Sequence, residues 1–566
     1  MKKLWTRHIN ILGMSLVALL AVFAVACGSA APAEPSNDGS STAGDQSAPA
    51  STAAAMPVES PDVTQSVGDL RIAYASLGND GLYPKSSNVN AGGKDIQTTM
   101  YDAIIGSDAH GVFSPDTGLA ESWSMTPDAL QHTINLRSGV KFHNGVEVTA
   151  SDVEFSILEV MEDDSQTSFI RELTPLFESL EVPDSKTIII NCNKPCLFAP
   201  WIFSGVRGTE AMVVAKGYYE EVGESGFAKS PIASGPYKFS DQVLGSSVEV
   251  ESIGEPHFRG GIPKYQTITF LGIPEETTRV ANLKAGDVDI IDVSRERVDS
   301  IIKDGFNVFY KERADLMGAY FFQQWEDDSV FKDKRVREAL NLAINREAIL
   351  EFILAGRGDM TFYPMGSYGA NSGVDLNLVT YPYEPDRAVQ LLADAGYNDD
   401  SPLEINLAIY PFGNIPEFPR IIEAIGADFE TAGVKVVMQP TEYGTLREMR
   451  RAHELSNWVG PWGTTNRAAP AEILSITRAL YFGEAPLTTY RNPDFDVIMN
   501  EAFGALVEDD VKGQITQMQK FLYDDFYGIP LFEVDTALAT STEITKWDLG
   551  RDSYDKNLDD LIFPSN

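Results

Sequence analysis

Histidine is scarce in this chain of 566 residues: there are six, at positions 8, 110, 132, 143, 257 and 453. None forms an HExxH pair or a close pair of any kind, so the zinc-hydrolase pattern is missing. A Gly-x-Ser-x-Gly elbow, a phosphate-binding P-loop and a dinucleotide fingerprint are missing too. Acidic residues are plentiful enough that counting alone does not exclude a carboxylate pair for glycoside hydrolysis, but nothing points to one. The chain therefore reads as a non-enzyme with no cofactor. Basic residues are also few, 44 against 82 acidic ones, and the formal charge of -38 argues against a nucleic-acid partner. That charge reads as a solvated surface. Long apolar runs are limited to one near the start, no second run is long enough to cross a bilayer, and no internal repeat is visible.

The start of the chain carries an address. Lys2, Lys3 and Arg7 precede an apolar run over residues 9–26, which ends Ala24-Val25-Ala26-Cys27-Gly28. A basic start, a hydrophobic run and small residues before a cleavage point make a secretory signal. A cysteine directly after the small residues makes 1–26 a lipoprotein signal peptide with Cys27 as the lipidated residue. Ala24 stands where leucine is usual, and a plain signal peptide or an N-terminal span with a bystander cysteine is the alternative. Residues 27–65 are mostly Ala, Ser, Pro, Gly, Thr and acids, a composition that cannot bury enough apolar surface to order itself, and so read as a disordered tether. The protein is expected to be extracytoplasmic, anchored to the cell membrane by its lipid. Of the three cysteines, Cys192 and Cys196 then remain, within Asn191-Cys192-Asn193-Lys194-Pro195-Cys196. A small-loop disulfide fits an oxidising compartment. No metal site is expected there, because no histidine lies near them in sequence.

The body that follows, roughly 500 residues, is too long for one core, so two or three lobes are expected. Short β-branched strands are predicted at 71–75, 187–190, 248–251, 267–270 and 435–438. Helical spacing places Val336, Ala339, Leu340, Ala343 and Ile344 on one face. Asn345 is the N-cap of a second helix running to Leu354 and ending near Gly356. A third helix opens with Pro385, buries Ala388, Leu391, Leu392 and Ala395, and stops at Gly396. Strands mixed with helices in several lobes give an α/β class.

One stretch is more specific. Leu119-Ala120-Glu121-Ser122-Trp123, Thr133-Ile134-Asn135-Leu136-Arg137, Gly139-Val140-Lys141-Phe142-His143-Asn144-Gly145 and Thr149-Ala150-Ser151-Asp152-Val153 follow one another in order. They read as a strand pair joined by a tight His-Asn-Gly turn, then a helix capped by Thr149 or Ser151. Further on come Ser234-Gly235-Pro236-Tyr237-Lys238, Ile273-Pro274 with Thr278-Arg279, and Leu283-Lys284-Ala285-Gly286-Asp287-Val288-Asp289. After these stand Phe331-Lys332-Asp333-Lys334-Arg335-Val336-Arg337-Glu338-Ala339-Leu340, Arg491-Asn492-Pro493-Asp494-Phe495-Asp496 and Ile529-Pro530-Leu531-Phe532.

Together these motifs resemble the family 5 extracellular solute-binding proteins, the oligopeptide, dipeptide and nickel binders of ABC importers, from residue 68 to the end. The resemblance implies a periplasmic-binding-protein-like fold (type II, cluster C), two lobes closing on a ligand with an extra inserted domain. It sets lobe I at 66–95 plus 225–312 plus 533–566, the inserted domain at 96–224 and lobe II at 313–532, with hinge crossings near Asp292 to Arg313 and near Phe532. It implies a monomer partnered by a small solute, by permease subunits and, through them, by an ATPase, both on separate chains. A peptide is the first guess; a nickel, metallophore, sugar or opine receptor, or a sensor without transport, are the alternatives.

The candidate contacts follow from the same resemblance. Peptide-binding relatives place an aspartate for the ligand's amino group just after a Trp-centred segment. Here that segment is Asn457-Trp458-Val459-Gly460-Pro461-Trp462-Gly463-Thr464-Thr465-Asn466-Arg467, and Thr465 stands at the aspartate's place. Arg467 offers a planar cation suited to carboxylate or phosphate, or is an ordinary surface arginine. Trp458 and Trp462 form an apolar pocket wall or pack in the core. Tyr83, Tyr101, Ser234, Gln323 and Gln324 complete the expected ligand-binding set.

Overall fold

The computed structural model describes residues 65–566 apart from 79–81, 87–90, 163–164, 166–175, 207–208, 363–371, 411–414, 468, 486–487, 552, 554–555 and 565–566. The expected signal peptide, Cys27 and all but the last residue of the expected tether lie outside the described residues.

Among the described residues, eleven strands form one mixed sheet and four form another. In the large sheet β1 (Asp69–Tyr74) lies parallel to β8 (Thr267–Gly272) and β9 (Ile290–Asp292), and the antiparallel ribbon β6 (Tyr237–Val243) and β7 (Ser247–Ser252) extends the β8 side. The other half holds β12 (Glu404–Ile409) between β13 (Lys435–Pro440) and β14 (Trp458–Thr465), all parallel. Two long antiparallel strands, β10 (Asn307–Phe321) and β15 (Gly528–Thr540), join the halves, with the short β11 (Gly358–Met360) beside β15. The small sheet has the order β2 (Ala120–Met125), β3 (Gln131–Leu136), β5 (Thr187–Cys192), β4 (Phe177–Glu181).

The cores divide along the same lines. The largest runs from Leu316 to Val534 around β10, β12 and β14, and a second takes residues near β1, β7 and β8 together with Leu538 and Ile544 to Phe563. A third, from Ile104 to Ala215, backs the small sheet and includes Ala471 from far along the chain.

Local chemistry explains several elements. The helix Lys334–Leu342 starts where Asp333 Oδ1 accepts from the Arg335 amide at 2.9 Å, and it buries Val336, Ala339 and Leu340. The helix Arg346–Phe352 is capped by Asn345, whose Oδ1 accepts from the Ala348 amide at 3.0 Å; it ends two residues before the expected Leu354, with Gly356 beyond it at φ 69°. The helix Pro385–Asp394 buries Ala388, Leu391 and Leu392.

The His-Asn-Gly stretch differs from expectation. Gly145 does turn the chain at φ 84°, but only the single bridge Lys141 to Glu147 forms across it. The strand pair of this motif is β2–β3, which turns at Ala129. The chain after Gly145 must enter the helix Ala150–Met161 within a few residues, so no ladder can grow there. Thr149 rather than Ser151 is the N-cap, and its amide donates to Asp152 Oδ2 at 2.9 Å.

Candidate functional site

In open α/β sheets the carboxyl ends of parallel strands gather ligand-binding loops. Here two such sets face each other. β9 runs antiparallel to β15, from Ile290 opposite Thr540 to Asp292 opposite Leu538, so β1, β8 and β9 all end toward the middle of β15. β14 ends with Thr465 opposite Asp315, which is itself opposite Val534, so β12, β13 and β14 end at the same level from the other side. Between these ends β10 and β15 slip register from Lys311 to Asp315, and Arg313 takes φ 55°. A left-handed non-glycine residue in a broken ladder marks the bend between the halves.

The polar groups at this level form a network, buried except for the Arg313 side chain. Asn466 Nδ2 donates to Glu533 Oε1 at 3.0 Å and to the Arg313 carbonyl at 2.9 Å, while Arg313 Nε donates to Glu533 Oε2 at 2.6 Å. Burial raises the Glu533 carboxyl above its ordinary value, against the opposing pull of Arg313 and Asn466. Asp315 accepts from Thr536 Oγ1 at 2.9 Å and from Ser553 Oγ. Arg467 Nη1 donates to Thr464 Oγ1 and to the Thr465 carbonyl, each at 2.8 Å, so its guanidinium is fixed at the end of β14. On the facing side Asp292 pairs with Arg279 at 2.8 Å, and its carboxyl is raised by burial in spite of that arginine.

Of the expected contacts, Thr465 and Arg467 lie at this junction. Trp462 lies three residues further in, stacked on Tyr320 with ring centroids 5.4 Å apart; its Nε1 has no hydrogen-bond partner among the described residues. The indole fits there because residue 318 is glycine: a Cβ on Gly318 would stand 2.7 Å from Nε1. Trp458, Gln323 and Gln324 are at the opposite end of β10 and β14, about 20 Å from Thr465 at strand rise. Gln324 Nε2 donates to the carbonyls of Thr489 and Tyr527 at 3.0 and 2.9 Å, and Gln323 Oε1 accepts from the Leu455 amide. Both glutamines tie loops of the β14 half together.

Three further expected contacts are buried with their polar groups engaged by protein. The Tyr83 hydroxyl donates to Glu159 at 2.7 Å within a pile of Tyr219 and Phe227 rings. Tyr101 donates to the Leu82 carbonyl at 2.8 Å, and Ser234 donates to Asp102 Oδ2 at 2.8 Å. All three side chains are buried framework with their hydroxyls occupied. Asp102 is also 3.4 Å from His257 Nε2 and 3.6 Å from Arg259 Nε, and His143 Nε2 contacts the Gly235 carbonyl at 2.9 Å. The Ser-Gly-Pro-Tyr and His-Asn-Gly motifs thus meet at one polar joint.

Cys192 and Cys196 are joined by a disulfide, with Cα atoms 6.4 Å apart. Sequence distance was misleading about their surroundings: His132 Nε2 lies 3.3 Å from Cys196 Sγ, brought there by the β3–β5 pairing. Burial lowers the His132 imidazole below its ordinary value.

Sequence reasoning missed Asn466, Arg313, Asp315, Glu533 and Ser553. Asn466 had a signal in its place beside Arg467, and Arg313 and Glu533 in theirs at the expected hinge crossings; Asp315 and Ser553 reach the site through pairings far apart in sequence.

The family model described as "Bacterial extracellular solute-binding proteins, family 5 Middle" matches residues 114–478. The chain belongs to this family. This family 5 binding protein is 26% identical over 483 residues to heme-binding protein A of Haemophilus influenzae, covering 81% of this chain and 85% of that one. Its fold matches the solved DppA of Helicobacter pylori in complex with the peptide STSA, with TM-score 0.74, 19% identity, and 87% and 97% of the two chains covered. It also matches AppA of Bacillus subtilis in complex with a nonapeptide, with TM-score 0.73, 22% identity, and 89% and 100% covered. The binding protein is therefore a two-lobed, extracytoplasmic solute receptor. Among its described residues no helix is long and apolar enough to cross a membrane.

Proposed function

We propose that this receptor captures a small peptide-like solute and hands it to the permease of an ABC importer while tethered by a lipidated Cys27. Lobe I is taken as 66–95, 225–312 and 533–566, lobe II as 313–532, and 96–224 as the inserted domain. The observation that carries the reading is the meeting of two sets of strand carboxyl ends across the broken β10–β15 ladder, with Asn466 and Arg467 at the junction. Thr465 supplies no carboxylate for a free amino group, whereas Arg467 suits a carboxylate. The solute is thus held by its acidic end.

Native mass spectrometry of the mature chain, purified without denaturation, tests the solute class. Co-purifying masses spaced like amino-acid residues support peptides; a single mass of another kind, such as a metal chelate or porphyrin, overturns that choice. With the captured solute in hand, Arg467→Ala should weaken binding by at least about tenfold in calorimetry, the scale of a lost charged hydrogen bond. Unchanged affinity removes Arg467 from the site. Replacing Cys27 by Ala should release the protein from the membrane fraction.

A further inference from the structure

Four arginine–carboxylate pairs join the β9 side of the molecule to the β14 side without any contribution from a solute. Arg295, three residues past β9, donates through its amide and Nη1 to Glu417 Oε1 and Oε2 at 2.9 and 2.8 Å, and each side chain is only 2% exposed. Beside it, Arg420 reaches Glu296 in solvent and the half-buried Arg357 reaches the exposed Asp299, both at 2.7 Å. Elsewhere Arg551 Nη1 pairs with Glu472, while its Nη2 donates to the Val206 carbonyl at 3.1 Å. This second buried pair gathers the C-terminal segment, the small-sheet unit and the helix Pro470–Tyr481 at one point, where Ala471 also enters the small-sheet core.

The two buried pairs lie on opposite faces of the lobe II sheet. Glu417 directly precedes the helix Phe418–Thr431, where a Cβ at Gly426 would stand 3.2 Å from Leu407; Leu407 pairs with Val459, and Val459 with Phe321. Glu472 opens the helix that sets Tyr481 against Tyr320, and Tyr320 points to the face opposite Phe321. A bend of the β10–β15 ribbon toward one face pulls apart the pair on the other. Whichever face the ribbon bends toward, one of the two pairs is pulled.

We infer that Arg295–Glu417 and Arg551–Glu472 form a two-sided clasp, which closes the lobes on protein contacts alone and tunes solute affinity without touching solute. The inference rests on the reading of a closing cleft and is independent of which solute enters it. Charges paired in the closed form are hydrated in the open form, so removing one partner shifts the closed–open balance. These four residues are positioning residues. Wild-type receptor therefore rests mostly closed without solute, and a solute must wait for the clasp to open.

Small-angle scattering of the mature chain, stripped of solute by unfolding and refolding, tests this with no solute added; failure of the peptide reading would not affect the outcome. Wild type should scatter as a mixture dominated by the compact form. Glu417→Gln and Glu472→Gln should each lower the closed-to-open ratio about tenfold, on the scale of one charged hydrogen bond. The double variant should be extended, with circular dichroism unchanged. If a buried variant fails to fold, the exposed pair decides: Arg420→Glu should expand the particle, and Arg420→Glu with Glu296→Arg should restore it. Superimposable profiles for all variants, an already open wild type, or no rescue by the charge swap would overturn the clasp.

Discussion

Replacing Asp102 by Asn tests the polar joint between the two sequence motifs. Asp102 is wholly buried and holds three partners, the Ser234 hydroxyl, His257 and Arg259. Burial alone would raise its carboxyl, but His257, Arg259 and Ser234 together hold it below the ordinary 3.8. Breaking one side of a buried charge pair costs about 3–5 kcal/mol. Arg259 keeps the Thr98 carbonyl at 3.0 Å and sits 3.7 Å from Asp559, so the stranded cation is partly rehoused. The expected loss is at the lower end, about 3 kcal/mol. A chain of this size does not unfold in one step, so a local readout is needed. Hydrogen exchange of the His143 and Gly235 amides, which donate to the Ala233 and Met100 carbonyls at 2.7 Å, reports opening at the joint. Because the folded value of Asp102 is depressed, its contribution is fully present above the unfolded value and is lost as pH falls through the folded one. The gap between wild type and variant should hold from pH 6 to about 4.5 and narrow only below that. A gap under about 1 kcal/mol, or one already closing at pH 6, would refute the assignment of the joint to an ionised Asp102.

Gly235→Ala should destabilise the joint by about 2–3 kcal/mol, because its Cβ would meet the Met100 backbone at 2.5 Å and backbone cannot yield; faster exchange of the His143 amide measures this, and a neutral result would mean the loop can shift. Cys192→Ser with Cys196→Ser should cost only about 2 kcal/mol, since the loop closed is short, and the loss should appear as faster exchange confined to the small sheet. Glu533 is raised by burial, so in the window just above the ordinary carboxyl value the folded form binds the extra proton and stability rises as pH falls. Glu533→Gln should remove that component, seen as a flatter stability-against-pH curve; an unchanged slope would show that Glu533 is not its source.

Much of the fold was legible because its signals are local. Asp333 and Asn345 cap the helices they precede, and the 3.6-residue spacing of Val336, Ala339 and Leu340 marks the face that is buried. The predicted strands at 71–75, 187–190, 248–251, 267–270 and 435–438 fall within or overlap β1, β5, β7, β8 and β13. The candidate site was less legible because its members are assembled by long-range pairing. Nothing near Arg295 names Glu417, and nothing near Arg551 names Glu472, yet each pair closes in space. Tyr83, Tyr101 and Ser234 were attractive for their chemistry, but a hydroxyl gives no sign in sequence of whether it faces solvent or a buried carboxylate. Gln323 and Gln324 lie apart from the junction for a geometric reason: β10 carries them to the end of the sheet away from the bend.

The same long strands constrain the order in which the molecule can be made. β9 has β15 as its neighbour, and β15 begins at Gly528, near the end of the chain. The core around β1, β7 and β8 likewise draws on Trp547, Leu558, Ile562 and Phe563. A growing chain can thus complete the β12–β14 unit while the β1–β8–β9 half still lacks the strand beside β9 and part of its core. The half that contains β1 waits on β15 and on residues 544–563, so a chain cut before Gly528 should yield protease-sensitive material rather than a smaller working protein.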